Sequence, residues 1–388
     1  MTTNEQTYTE VQPGDGLWVI AARLGVTQAL LVAFNPWVRG MTLHPGDRLV
    51  IPQVDTAPAP PPVPQPEPAP EPIAAQRLTG IHGGFTEQGS SIRRMQKFHD
   101  DGLRFDIHTL FFSGGTVNAS KSAAWGQFKS TGSYLVDPEL SHLKPEWVSV
   151  TVPLNWENGT VTSNDARSVD GLAEIAANLD RVANGMWDED QTVMINYVKN
   201  LYPGDRVIVR IGHEFSNDWG TWAARSTETY AAYKRAFRHV AELWRAELPG
   251  CLIDWCDLRG WWMQHGKLAY PGDDIVDIIG IDIYWRGASE ITDTEWTNTH
   301  RNVLEDHHAF ATSRGKPVSY PEWGRSYRDT PEYLARMKQW FDSLPLEGPG
   351  SLAYQSYFSQ GGYLEGLSPY DLLLLPNVYA RYRELFSP

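Results

Sequence analysis

The chain has 388 residues, enough for one large domain or two unequal ones with a sizeable core. Its 47 acidic against 33 basic residues give a formal charge of -14 with no cluster of Lys and Arg, and this argues against nucleic acid as a partner, because gripping phosphates needs such a cationic surface. Two cysteines are too few for a disulfide framework or a thiolate metal site, and no apolar run is long enough to span a bilayer, so no membrane partner is expected.

The first residues, MTTNEQTYTEVQPGDG, lack the basic start and apolar stretch of a secretion signal, so the chain is expected either to leave its cell by another route or to have lost a leader. Residues 8 to 52 follow, with strand candidates Tyr8 to Val11 and Arg48 to Ile51 flanking amphipathic helical stretches at Leu17 to Leu24 and Gln28 to Phe34. Two PGD turns, at Pro13 and Pro45, punctuate the transitions. From the opening Tyr8 through PGDGLWVIA and Asn35-Pro36 to LHPGDRLVIP, this segment resembles a LysM module. The resemblance implies binding of N-acetylglucosamine-containing glycans, of the peptidoglycan or chitin type, through residues 8–52. Residues 53–75 are dense in proline and nearly free of large apolar side chains, which favours an extended spacer. The expected organisation is thus a module at 1–52, a linker at 53–75 and a second domain at 76–388.

In that second domain strand-like and helix-like segments alternate. Eight strand candidates begin at Arg77, Arg104, Trp147, Arg206, Leu252, Val276, Pro317 and Ser351. Helical candidates between and after them start at Asp170, Thr227 and Thr330. Eight strands with intervening helices predict an α/β fold of the (β/α)8 TIM-barrel type, whose functional residues sit at the C-terminal ends of the strands. An open doubly wound sheet is the alternative, but no glycine-rich fingerprint follows the first strand. Cys251 and Cys256 lie on one strand an odd number of positions apart, so both read as core residues facing opposite ways.

Under the barrel reading, Glu214 in VIVRIGHEF closes the fourth strand and Glu322 in SYPEWG closes the seventh, setting two carboxylates on one rim. Glycoside hydrolysis needs such a pair, one to protonate the leaving oxygen and one to attack the anomeric carbon or activate water. The segment RIGHEFSNDWGTW, Arg210 to Trp222, resembles the acid/base motif of glycoside hydrolase family 26. KPVSYPEWG, Lys316 to Gly324, resembles that family's nucleophile strand, and DDIVDIIGIDIYW, Asp273 to Trp285, its sixth strand. The resemblance implies a retaining mechanism with Glu214 as general acid/base and Glu322 as nucleophile, His213 hydrogen-bonded near Glu322, and Tyr284 holding the nucleophile carboxylate. Arg210 is expected to favour an ionised carboxylate on the floor of the site, or to form an ion pair inside the barrel.

The chain carries 16 tryptophans and 17 tyrosines, and indole faces can stack on pyranose rings. Trp219, Trp222, Trp285 and Trp323 flank the motifs and are expected to line the substrate cleft, with Trp156, Asn155 and Tyr357 near other strand ends. The acidic run Asp188-Glu189-Asp190 reads as a loop surface, and His307-His308 as a solvated helix face without metal-ligand spacing. No metal or cofactor is expected. The functional expectation is a monomeric, endo-acting glycosidase acting on a bacterial cell-wall or cell-surface polysaccharide, outside the cell or at the wall. A phage lysin or tail enzyme fits that description. The alternatives are a muramidase-type lysin, or a non-catalytic carbohydrate-binding or virion structural protein.

Overall fold

The computed structural model describes residues 7–12, 15, 17–24, 26, 31–32, 34–38, 43–51, 77–83, 90–112, 135, 137–155, 165–202, 206–360 and 370–388. The spacer at 53–75 and Trp156 lie outside these residues. Near the N-terminus, β1 (Tyr8–Glu10), α1 (Leu17–Leu24) and β2 (Arg48–Val50) form a small unit in which the strands pair antiparallel, Tyr8 opposite Val50. Val11, Ile20, Ala21, Leu31, Val38 and Leu49 make its core. Asn35 ties the unit together, its amide donating to the carbonyls of Leu31 and Val50 and its Oδ1 accepting from the Val50 amide at 2.7 Å.

The second domain is a closed barrel of eight parallel strands. In chain order they are β3 (Leu78–His82), β4 (Ile107–Phe111), β5 (Trp147–Val152), β6 (Val207–Ile211), β7 (Leu252–Leu258), β8 (Ile278–Trp285), β9 (Val318–Arg325) and β10 (Leu352–Phe358), and β10 closes on β3. All eight predicted strands are present. They read as near-continuous apolar runs because each is covered on both faces, by the barrel interior and by helices. The expected helices are present as α3 (Val169–Ala183), α5 (Thr227–Glu247) and α8 (Glu332–Ser343), with α2 (Ser90–Asp100), α4 (Asp188–Leu201), α6 (Asp293–Trp296), α7 (Asn302–Ser313) and α9 (Pro376–Phe386) beside them. Helix α5 shows why such a segment forms. Ser226 and Thr229 exchange capping bonds at its start, and Ala232, Tyr233, Ala236, Phe237, Val240, Ala241 and Trp244 recur at helical spacing as its buried stripe.

Two expectations are corrected. Asp188, Glu189 and Asp190 form the first turn of α4 rather than a loop, where carboxylates meet the positive end of the helix dipole, and Asp188 lies 2.6 Å from His239 Nε2. His307 is fully buried beside Trp262 rather than solvated. Cys251 and Cys256 are buried and free, as expected. No helix among the described residues is long and apolar enough to cross a membrane.

Candidate active site

Strand residues alternate between barrel interior and helix layer, and the interior is polar from mid-barrel to the C-terminal end: Arg210 on β6, Asp254 on β7, Asp282 and Tyr284 on β8, Ser319 and Glu322 on β9. Ser319 Oγ donates to Asp254 at 2.8 Å, and Glu322 meets Arg210 and Tyr284, so both β9 residues face inward although they stand an odd number of positions apart. A register irregularity supplies the extra step. Gly280 pairs with Ser319 and Ile283 with Trp323, which leaves one more residue on β9 than on β8 between those pairs. The bulge re-aims Glu322 toward the axis.

Glu322 is held by two donors. Arg210 Nη2 donates to its Oε1, and Tyr284 Oη donates to its Oε2 at 2.7 Å. The second arm of Arg210 reaches Asp282 Oδ1 at 3.2 Å. Burial pushes the Glu322 carboxyl up, but the Arg210 charge, the nearby His213 and the two hydrogen bonds outweigh it and hold the group below its ordinary value. His213 Nε2 stands 3.9 Å from Glu322 Oε1, beyond hydrogen-bond range, so the expected bond is not formed. Burial and then the Arg210 charge push His213 down to about 3, which keeps its imidazole neutral.

Glu214 is placed differently. Strand β6 ends at Ile211, and the chain turns through Gly212 at φ +48° and Glu214 at φ +50°. Glycine is required at the first position, since a Cβ there would lie 2.6 Å from the Leu154 side chain. A left-handed glutamate is strained and persists only when its surroundings hold it. The Glu214 amide donates to Cys256 O at 3.0 Å, and Asn217 donates from its backbone and side chain to Glu214 O. No donor among the described residues reaches the Glu214 carboxylate. Burial, then the charge of Glu322, raise its pKa to about 8. One oxygen each of Glu214, Asp282 and Glu322 lie within 4.8 Å of one another. That trio is a conceivable donor set for a cation, but Arg210 already donates to two of its members. Asp282 is itself pushed well above the ordinary carboxylate range, by burial first and by both glutamates against the pull of Arg210.

The other expected residues divide. Trp219 is exposed in the turn after Glu214, and Trp222 is tucked beneath that turn, donating from Nε1 to His213 O at 2.8 Å. Asn155 is buried and exchanges bonds with Thr221, bracing the same loop. Trp323 and Tyr357 do not reach the cleft. Both are fully buried in the helix layer, where Trp323 packs on Phe341, Tyr382 and Phe386. Trp285 also has the outward parity, with Nε1 donating to Ser289 O. The interior neighbours instead form the aromatic floor: Phe111, Tyr284 and Phe358 with Tyr370. Phe111 and Phe358 sit at the ends of β4 and β10 and were missed. Counting alternation outward from Tyr354 would have found Phe358.

Such a site can transfer a proton from a neutral carboxyl while a second, ionised carboxylate acts as nucleophile or charge stabiliser a few ångströms away. The family model for glycosyl hydrolase family 26 matches residues 117–316, just over half of the chain, ending before β9. The LysM domain model matches residues 9–52. Among curated proteins, Endoglucanase H of Acetivibrio thermocellus is 30% identical over 156 residues, 37% of this chain and 16% of that protein. Mannan endo-1,4-beta-mannosidase of Bifidobacterium adolescentis is 29% identical over 132 residues, 31% of this chain and 12% of that protein. The aligned segments are thus a small part of both relatives. Among solved structures, the Bacillus subtilis mannanase BCman superposes with a TM-score of 0.54 at 16% identity, covering 82% of this chain and 88% of that one. The catalytic domain of an endo-beta-1,4-mannanase from Bacillus sp. JAMB-750 gives 0.54 at 19% identity, over 80% and 86% of the two chains. At such identity the superpositions speak for the fold.

Proposed function

The chain belongs to glycosyl hydrolase family 26 and carries a LysM module at its N-terminus, and from that premise we propose that it is a retaining, endo-acting glycosidase that cuts a β-mannan- or β-glucan-type polysaccharide at a glycan-bearing cell surface. The observation that carries the reading is the carboxylate pair, whose nearest oxygens lie within 4.8 Å and whose environments push their pKa values apart. That approach suits direct attack at about 5 to 5.5 Å between carboxyls and is short of the roughly 6.5 to 9.5 Å an interposed water needs.

In this mechanism Glu322 attacks the anomeric carbon while Glu214 donates its proton to the departing glycosidic oxygen. The bond from the anomeric carbon to that oxygen breaks as the bond to Glu322 forms. Glu214, now ionised, takes a proton from water, whose oxygen displaces Glu322 and restores the original configuration. Arg210 and Tyr284 hold Glu322 ionised and aimed, and neutral His213 walls the site without competing for the proton. The LysM module keeps the barrel near an insoluble substrate and so raises its effective concentration there.

The test is release of new reducing ends from β-mannan, β-glucan and purified peptidoglycan. Cleavage of either neutral polysaccharide is the expected result. Cleavage of peptidoglycan alone would instead mean a muramidase-type enzyme.

A further inference from the structure

We propose that Asp257, a buried aspartate one residue from the end of β7, is a positioning residue that straps the left-handed turn carrying Glu214 into its working conformation. The inference rests on Glu214 as the proton donor. Asp257 Oδ1 accepts twice from Ser216, from its backbone amide at 3.2 Å and from its hydroxyl at 2.7 Å. Ser216 stands two residues after Glu214. The preceding residue of β7, Cys256, takes the Glu214 amide on its carbonyl. Consecutive residues of one rigid strand therefore hold both sides of Phe215, whose ring stacks on Trp255 at 4.9 Å and meets Tyr233 at 4.7 Å behind the turn.

Stability alone does not account for Asp257. It is fully buried, forms no ion pair among the described residues, and its Oδ2 has no hydrogen-bond partner. A buried carboxylate without a counter-ion is expensive, and burial raises the pKa of this one to about 7. The surroundings are shaped to admit it. A Cβ on Gly266 would lie 2.7 Å from Oδ2 and 2.5 Å from the Trp262 ring, so glycine at that position leaves the carboxylate its room. What the group does is hold Ser216. Without it, Glu214 can relax from φ +50° toward an unstrained conformation and swing its carboxyl away from the site.

The experiment compares Asp257→Ala, Asp257→Asn and Ser216→Ala in the full chain on two kinds of probe. Neutral polysaccharide, β-mannan or β-glucan, has a poor leaving group that needs a proton. A dinitrophenyl β-glycoside of the same sugar has a leaving group that departs unaided. Asp257→Ala is expected to lose about 10²-fold in kcat on polysaccharide, while kcat/KM on the dinitrophenyl glycoside falls by no more than about threefold. Asp257→Asn keeps an acceptor for Ser216 and recovers to within about tenfold of the native rate. Ser216→Ala, which removes only one donor and leaves the carboxylate in place, shows the same selectivity with a smaller loss.

Isotope-edited carboxyl NMR reads the strap without substrate: the Glu214 midpoint is expected to move down from about 8 in Ser216→Ala, which loosens the turn but keeps the Asp257 charge that itself helps raise it. Equal losses on both probes, or an unmoved Glu214 midpoint in a folded Ser216→Ala, would overturn the inference. A native enzyme that cleaves neither polysaccharide would sink the functional reading instead, with the titration still deciding the strap.

Discussion

The end of β6 and the middle of β9 deliver the same residue type to the same spot by opposite means. Glu322 sits inside a regular strand, re-aimed by a bulge, with Arg210 and Tyr284 bonded to its two oxygens. Glu214 sits beyond its strand in a strained turn, its backbone tied down and its carboxylate free of donors among the described residues. The difference explains how two glutamates whose oxygens lie within 4.8 Å can take opposite protonation states. A cation and a hydroxyl bonded to one carboxylate stabilise its ionised form, while desolvation beside that negative charge favours the neutral form of the other.

The largest loss is expected at Glu322. Glu322→Gln removes the proposed nucleophile but keeps the shape, and kcat should fall by about 10⁴-fold or more in a reducing-end assay. Glu214→Ala should lose about 10² to 10⁴-fold on polysaccharide, yet largely spare a dinitrophenyl glycoside in the first step, with added azide restoring turnover. Equal losses on both substrates would deny Glu214 the role of acid.

The pH profile comes next. As the proposed acid Glu214 has to be protonated, so kcat/KM should fall as pH rises through about 8. Glu322 must be ionised, so the acid limb should lie below the ordinary carboxylate value. Tyr284→Phe removes one of its two donors, and should move the acid limb upward and lower kcat by about tenfold, the worth of one hydrogen bond to a charged group. A profile with its alkaline limb unchanged in Glu214→Gln would show that another group sets that limb.

The smallest effect on activity, and the largest on stability, should come from Trp323. Trp323→Ala is expected to cost about 3 to 5 kcal/mol in chemical denaturation, whereas Trp219→Ala in the exposed turn leaves stability nearly unchanged and raises KM.

The contrast between these two tryptophans also marks what the sequence could convey. All eight strands could be located because doubly covered parallel strands are continuous apolar runs, and both glutamates because their neighbours form spaced motifs. Which side chains line the cleft was less legible. Glu322 and Trp323 are adjacent on a strand, as are Tyr284 and Trp285, and adjacent residues face opposite ways, so a tryptophan beside an inward residue belongs to the helix layer. That parity could have been counted from the sequence. The bulge in β9 could not, because its extra residue shows only in the pairing with β8 and β10. Nor could the left-handed turn, since nothing in IGHEF announces a glutamate at positive φ. Asp257 was passed over because a lone aspartate at a strand end carries no motif, and its meaning appears only with Ser216 against it.

The paired roles of Glu214 and Glu322 are tested by the anomeric configuration of the first product, followed by proton NMR as β-mannan or β-glucan oligosaccharides are cleaved. A retaining pair built from Glu214 and Glu322 releases the β anomer first, with the α anomer growing in only by mutarotation. An α anomer at the earliest times would mean single displacement by water, and would contradict the account.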